Sequence, residues 1–195
     1  MKKTLQYYNA NAKEFVEGTL NADVSGLYAF FQKYVKPGAA ILDLGCGSGR
    51  DSLYFLSQGY QVCALDGSEE LCKIATERLG QPVERKLFQD IDDVDRFDGI
   101  WACSSLLHVP YEELPAILDK LHTALKAKGY LYLSAKYGTF SGQRNGRYFT
   151  DLDEARLEDL LQKAKGFRIV ETHITADVRP GREDEKWLNA ILQKL

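Results

Sequence analysis

The sequence predicts a three-layer α/β domain, Rossmann-like, on a seven-stranded sheet that is mostly parallel with an antiparallel edge strand. Three observations lead there. Seven short apolar runs read as strands. Segments between them carry apolar residues at the three- and four-residue spacing of a helix. The last two runs are joined by a turn region alone, "TADVRPGRED". Strands alternating with helices need parallel crossovers, whereas strands joined by a turn pair antiparallel at one edge.

The elements follow in order. Residues 5–17 read as a helix, with Leu5, Tyr8, Ala12, Phe15 and Val16 on one side, and residues 23–35 as a second, stopped by Pro37-Gly38. Strand one is "AAILDL". A helix over 50–58 stops at Gly59, where a left-handed cap suits glycine. "YQVCALD" is strand two, and a helix over 69–79 stops at Gly80. "VERKLFQD" and "FDGIWACS" are strands three and four. Residues 111–127 are helical up to Gly129, and "YLYLSAK" is strand five. A helix over 153–164 precedes "FRIVETHI" and "EKWLNAIL", the last two strands.

The 195 residues are expected to form a single domain, 1–195, long enough for a real core. The composition, 45% hydrophobic and 27% charged with a net charge of −3, is that of a soluble globular protein and not of a general nucleic-acid binder. No apolar run approaches a membrane span, and "MKKTLQYYNA" lacks the apolar segment of a secretory signal. Cys46, Cys63, Cys72 and Cys103 form no CxxC pair. Free thiols in a cytoplasmic protein, and no metal, are the expectation.

The stretch "ILDLGCGSGRDS" carries glycine at positions 45, 47 and 49, directly after strand one. Ligands of such sheets bind beyond the carboxyl ends of the strands, where glycine lets the backbone approach them. The spacing is GxGxG. Arg50 stands where the dinucleotide fingerprint wants its third glycine, and the GK[ST] of a phosphate loop is missing. Asp66 ends strand two, where a carboxylate accepts from two ribose hydroxyls. Asp90 ends strand three, within range of a base. An adenosine without a pyrophosphate fits this set.

With these motifs in order, "ILDLGCGSG", "VCALDGS" and "LFQDI", the chain resembles the class I S-adenosylmethionine-dependent methyltransferases over nearly its whole length. "YYNANAKEF", "FDGIWACSSLLHVP", "KYG" and "DVRPGRE" resemble the small-molecule, tellurite-resistance-type branch. The resemblance implies S-adenosyl-L-methionine as cofactor and S-adenosyl-L-homocysteine as product. It implies that Asp43 and the loop Gly45, Cys46, Gly47 and Gly49 hold the methionine end. Asp66 would bind the ribose, with Gly67 and Ser68 beside the adenine. Asp90 and the Ile91 amide would meet the base, and Cys103 or Ser104 would line the methionine side. Residues 1–36 would cover the cofactor, with Tyr7, Tyr8 and Phe15 as an aromatic cluster; Phe15 reads equally as core packing. "CSSLLHVP" departs from the Asn/Asp-Pro-Pro-aromatic stretch of enzymes that methylate DNA amino groups. The acceptor is then expected to be small, or a limited group on something larger, with no extended nucleic acid and no membrane as partner.

Methyl displacement at a sulfonium needs a desolvated, aligned pair and, for a protonated nucleophile, one base. His108 in "LLHVP" is the candidate base; alternatively it orients the Pro110 loop. Residues 136–149, "KYGTFSGQRNGRYF", hold Lys136, Arg144 and Arg147, interleaved with aromatics and without an acid. They read either as a solvated loop or as a lid in which Lys136, Arg144, Arg147, Tyr148 and, from the last turn, Arg179 hold an anionic acceptor. Two other functions stay open: a cofactor-binding protein without turnover, and a nicotinamide oxidoreductase, which Arg50 disfavours.

Overall fold

The computed structural model describes residues 2–164 and 166–195. Its strands are β1 (Ala40–Leu44), β2 (Gln61–Asp66), β3 (Glu84–Arg85), β4 (Phe97–Ala102), β5 (Leu125–Lys136), β6 (Ser141–Arg144), β7 (Arg147–Thr150), β8 (Phe167–Ala176) and β9 (Lys186–Lys194). Seven of them form one sheet in the order β3-β2-β1-β4-β5-β9-β8, and β6 and β7 make a separate hairpin. β1 lies parallel between β2 and β4, and β5 continues the parallel set beyond β4. β9 runs antiparallel to both β5 and β8.

The expected antiparallel pair is therefore present, with the reversed strand one place in from the edge. Burial explains the order. β9 hides Leu188, Ala190, Ile191 and Leu192 completely, whereas β8 exposes Thr172, His173 and Ile174. The strand that is apolar on both faces takes the inside position. β1 obeys the same rule: Ile41, Leu42 and Leu44 are fully buried, so its carboxyl end, and the loop that follows, sit at the middle of the sheet.

Helices α1 (Lys2–Ala10), α2 (Ala12–Thr19), α3 (Ser25–Gln32), α4 (Arg50–Ser57), α5 (Glu69–Leu79), α6 (Leu114–Ala124) and α7 (Glu154–Lys163) cover both faces. On one face Leu118, Leu121, Leu157 and Leu160 pack against Leu131 and Leu133. The other face is aromatic. Trp101 stacks on Tyr132 with ring centroids 4.1 Å apart, and Phe31, Phe55 and Tyr60 surround them. No helix among the described residues is long and apolar enough to cross a membrane.

Four local expectations change. The helix over 5–17 is two helices, broken at Asn11, whose side-chain amide donates to the Tyr7 carbonyl at 2.8 Å and competes with the helical backbone. The third strand shrinks to two residues and passes into a 3₁₀ turn, Phe88–Asp90. The helix over 111–127 ends at Ala124, because the amides of Asp95 and Arg96 reach across to the carbonyls of Thr123 and Ala124 and β5 begins at once. The basic segment is a β-hairpin. Asn145 and Gly146 both take positive φ, 50° and 78°, the pattern of a two-residue type I′ turn.

Candidate functional site

The chain leaves β1 through backbone that L side chains avoid. Gly45 has φ 77°, and a Cβ there would lie 2.6 Å from the Cβ of Ser105, in the loop after β4. Gly49, φ 76°, caps α4, and its missing side chain lets Ala75 of α5 approach. The loop is pinned to β2: Gly45 and Cys46 both donate to the Leu65 carbonyl at 2.9 Å.

Asp66 closes the arrangement. Its Oδ2 accepts from the Gly47 amide at 3.0 Å and its Oδ1 from the Ser68 amide at 2.8 Å. A carboxylate has about four acceptor sites, so acceptor capacity is left over. Burial raises the carboxyl pKa, and the amides of Ser68, Gly47 and Gly67 oppose that by stabilising the anion. Ser68 then caps α5, its Oγ accepting from the Leu71 amide at 3.3 Å and donating to Asn9 of α1 at 2.7 Å.

These groups open on a cavity of about 880 Å³ at the carboxyl ends of the strands, within the range of small-molecule sites. Of the cofactor residues expected from the sequence, Gly45, Cys46, Gly47, Asp66, Gly67, Cys103 and Ser104 line it. Ser104 is held at φ 55°, its amide donating to the Ser134 hydroxyl at 2.8 Å, a strained conformation at the cavity wall. Burial pushes the Cys103 thiol up to about 12.

The others lie elsewhere. Gly49 and Ser68 stand behind the wall as packing and cap. Asp43 is buried away from the cavity; its Oδ2 accepts from Ser52 at 2.5 Å, and burial, then the charge of Asp51, holds its carboxyl well above the usual range. Asp90 is exposed and Ile91 is core, so Lys86, Leu87 and Phe88 form that side instead. The cause is the short third strand, which turns the chain before Asp90 can face inward.

Tyr8 lines the cavity, whereas Tyr7 and Tyr148 brace it from outside. Tyr148 donates its amide to Thr4 at 3.0 Å, and its carbonyl lies 2.7 Å from His108 Nδ1. A carbonyl only accepts, so His108 carries its proton on Nδ1. Nε2 is then an acceptor, and the Tyr8 hydroxyl donates to it at 2.8 Å. Burial lowers the His108 pKa to about 4. His108 lines the cavity as a neutral imidazole with both nitrogens engaged, which corrects the expectation of a free base.

The basic lid is also changed. Lys136 is paired with Glu185 and Arg144 with Asp151 at 2.9 Å. Arg179 forks onto Asp177, with Nη2 at 2.5 Å and Nε at 2.9 Å. Arg147 differs. Its guanidinium sits 4.6 Å from the Tyr7 ring centre and 5.2 Å from that of Phe149, and its buried Nε has no hydrogen-bond partner among the described residues.

Sequence reasoning missed a hub at the opposite end. Asp51 accepts from Arg50 Nε and Tyr28, both at 2.6 Å, from Trp101 at 2.9 Å and from Arg50 Nη2 at 3.1 Å. Arg50 Nη1 also donates to the Thr19 carbonyl at 3.0 Å. The arginine that breaks the dinucleotide pattern thus ties α2 to the glycine loop. The hub is not legible in the sequence because Tyr28 and Trp101 reach Asp51 from distant elements; Tyr8 is expected in the aromatic cover, but its bond to His108 spans 100 positions and is not.

Residues 41–129 match the family described as Methyltransferase domain. A carboxy-S-adenosyl-L-methionine synthase of Vibrio atlanticus (strain LGP32) is 30% identical over 140 residues, 66% of this chain and 57% of that protein. A ubiquinone biosynthesis O-methyltransferase of Xanthomonas campestris pv. campestris (strain B100) is 35% identical over 105 residues, 50% of this chain and 43% of that protein. The chain thus spans about half the length of these curated relatives. Among solved structures, the Burkholderia thailandensis 1,6-didemethyltoxoflavin-N1-methyltransferase, with bound 1,6-didemethyltoxoflavin and S-adenosylhomocysteine, superposes with a TM-score of 0.78. It is 22% identical, with 99% of this chain and 86% of that chain covered. Magnesium protoporphyrin IX methyltransferase from Synechocystis PCC 6803, with bound S-adenosylhomocysteine, gives 0.76 at 19% identity, covering 100% of both chains. The fold is the Rossmann-like fold of these methyltransferases, and residues 41–129 carry the match to the methyltransferase domain.

Proposed function

We propose that this chain is an S-adenosylmethionine-dependent methyltransferase acting on a small, anionic acceptor. The observation that carries this is Asp66: a carboxylate fixed by backbone amides in the wall of a cavity at the strand ends, with acceptor capacity left over. That is the acceptor pair two adjacent ribose hydroxyls require.

The rest of the wall fits the cofactor. Leu5, Leu71, Leu87 and Phe88 line the cavity along with Gly67, an apolar setting for a planar base. The buried Ser105 hydroxyl, also in the lining, has no partner among the described residues and is available to a ligand. A side chain at Gly45 would collide with Ser105. Bound here, the cofactor supplies an electrophilic methyl on a positively charged sulfur. Asp66 would fix the ribose, and the Gly45–Gly47 backbone with Cys103 and Ser104 would hold the methionine end. Helix α1, tied down through Thr4, Tyr8 and Asn9, excludes water. The exposed Asp90 supports no contact with the base.

The branch of the family and the identity of the acceptor belong to this same proposal, as does a cytoplasmic setting, consistent with four free cysteines. Isothermal calorimetry with S-adenosylhomocysteine tests the cofactor. Binding that Asp66→Ala weakens about ten- to a hundredfold supports the reading, and an equal affinity for NADH would favour the oxidoreductase. Turnover separates an enzyme from a binding protein.

A further inference from the structure

Among the described residues, every cation that lines the cavity has a carboxylate partner, apart from Arg147 and the exposed Lys186 at the start of β9. Arg50 pairs with Asp51, Lys86 with Asp92, Lys136 and Arg182 with Glu185, Arg144 with Asp151 and Arg179 with Asp177. Arg147 instead packs against Tyr7, Tyr8 and Phe149. Its Nη1 lies 3.5 Å from the Tyr8 hydroxyl, and its Nε is buried without a partner among the described residues. A half-buried guanidinium whose Nε is buried and unused calls for an anion. One such group calls for one negative charge.

The bases tell a second story. His108 gives its lone pair to Tyr8, and Tyr8 gives its proton to His108, so neither offers a free base to the cavity. Burial also raises the Tyr8 pKa. The carboxylates of Asp51, Asp151, Asp177 and Glu185 are all taken by arginine or lysine. Asp66 belongs to the ribose in this reading. Asp23 is exposed, and its Oδ1 accepts from the Ser25 amide at 3.0 Å. His173 is exposed on β8 beside Phe30, separated from β4 by β9 and β5, and Asp184 is exposed in the turn between β8 and β9. Among the described residues, no unoccupied base stands beside the Tyr8–Arg147 pair.

We infer that the acceptor enters with its nucleophilic atom already ionised, as a single-charged anion countered by Arg147, and that the protein supplies no base. The class is that of acids that ionise near or below neutral pH: aromatic and other acidic thiols, acidic phenols and enols, and hydrogen chalcogenides. The lone pair of the anion forms the new bond to the methyl carbon. The carbon–sulfur bond breaks onto sulfur, giving a neutral thioether. The sulfonium charge and the acceptor charge cancel, and no proton leaves. Forming neutral products from opposite charges gains from a dry site, which the aromatic wall of Tyr8, Phe15 and Phe149 provides.

This inference rests on the cofactor reading, and the test keeps the two apart. S-adenosylhomocysteine is first titrated into the full chain by calorimetry. 4-Nitrophenol, whose anion is coloured and whose acid is not, is then titrated into that complex at several pH values. The bound probe is expected to ionise about one pH unit below the free probe, a tenfold preference for the anion. Arg147→Gln abolishes the preference, and Arg147→Lys retains part of it, because a lysine keeps the charge and loses the fork. Unchanged S-adenosylhomocysteine affinity shows that both variants are folded. With S-adenosylmethionine and 4-nitrothiophenol, kcat/KM should follow the ionisation of the thiol alone. A bound probe that stays protonated overturns the inference, as does a pH profile whose inflection moves in His108→Gln. S-adenosylhomocysteine binding without turnover of the thiol also overturns it and leaves the cofactor reading standing. Failure to bind S-adenosylhomocysteine overturns the cofactor reading, and this inference with it.

Discussion

The Tyr8 hydroxyl donates to His108 Nε2 at 2.8 Å and so joins the first helix to the loop after β4. The bond requires a neutral imidazole. His108 therefore binds a proton more weakly in the folded state, at about 4, than in the unfolded chain, near 6.5. Between those values the unfolded state holds more protons, so stability rises with pH across this window and is lost as pH falls from 6.5 toward 4. The contribution is on the order of 3 kcal/mol. Chemical denaturation of the wild type and of His108→Gln at a series of pH values checks it. The wild type should lose more stability over the window, and parallel curves would show that His108 is not held neutral.

Asp66 is the residue on which the cofactor reading turns. Its two oxygens already accept from Gly47 and Ser68, so the carboxylate is fixed before any ligand arrives. Asp66→Ala should weaken S-adenosylhomocysteine binding by roughly 1.5 to 3 kcal/mol, the range for hydrogen bonds to a charged group. In affinity that is about ten- to a hundredfold. A folded variant with wild-type affinity would place the ribose elsewhere.

Gly45→Ala probes the approach of two loops. The substitution combines φ 77° with a Cβ placed 2.6 Å from that of Ser105. Left-handed strain alone costs about 1 to 3 kcal/mol, and the clash adds to it. The variant should be less stable in urea by at least about 2 kcal/mol and should lose cofactor affinity. Full retention of both would mean that the loop relaxes and that the close approach is not required.

Ser68→Ala separates scaffold from site. Ser68 caps α5 and holds Asn9 of α1, yet its side chain does not line the cavity. Loss of the cap should cost about 1 kcal/mol of stability, with a small effect on S-adenosylhomocysteine affinity. A large affinity loss at unchanged stability would make its hydroxyl a ligand contact.

The legible parts of the sequence were those written in local chemistry. Apolar runs at strand period, and glycine at 45, 47 and 49, place the ligand edge without any partner residue. The hairpin at 141–150 is legible too, since Asn145-Gly146 is a strong type I′ signal, although a glycine-rich, basic segment by itself reads as a loop or a lid. Asp90 failed for a different reason. Its expected role depends on how far β3 extends, and β3 pairs with β2 only at Glu84 and Arg85. Strand length is a property of pairing, so the sequence near Asp90 does not contain it.

The sequence by itself determined the alternating architecture, the glycine loop after β1 and the acid at the end of β2, because periodicity and backbone freedom act within a few residues. Only the tertiary structure decided which charges remain free. Lys136, Arg144, Arg147 and Arg179 look alike along the chain, and folding neutralises three of them with Glu185, Asp151 and Asp177. It likewise turned His108 from a candidate base into a locked neutral imidazole through Tyr8 and Tyr148. A charge or a lone pair is available only when no partner reaches it, and the fold decides that: Glu185 and Tyr8 come to Lys136 and His108 from far along the chain, while the hairpin and the last turn bend Asp151 and Asp177 onto Arg144 and Arg179.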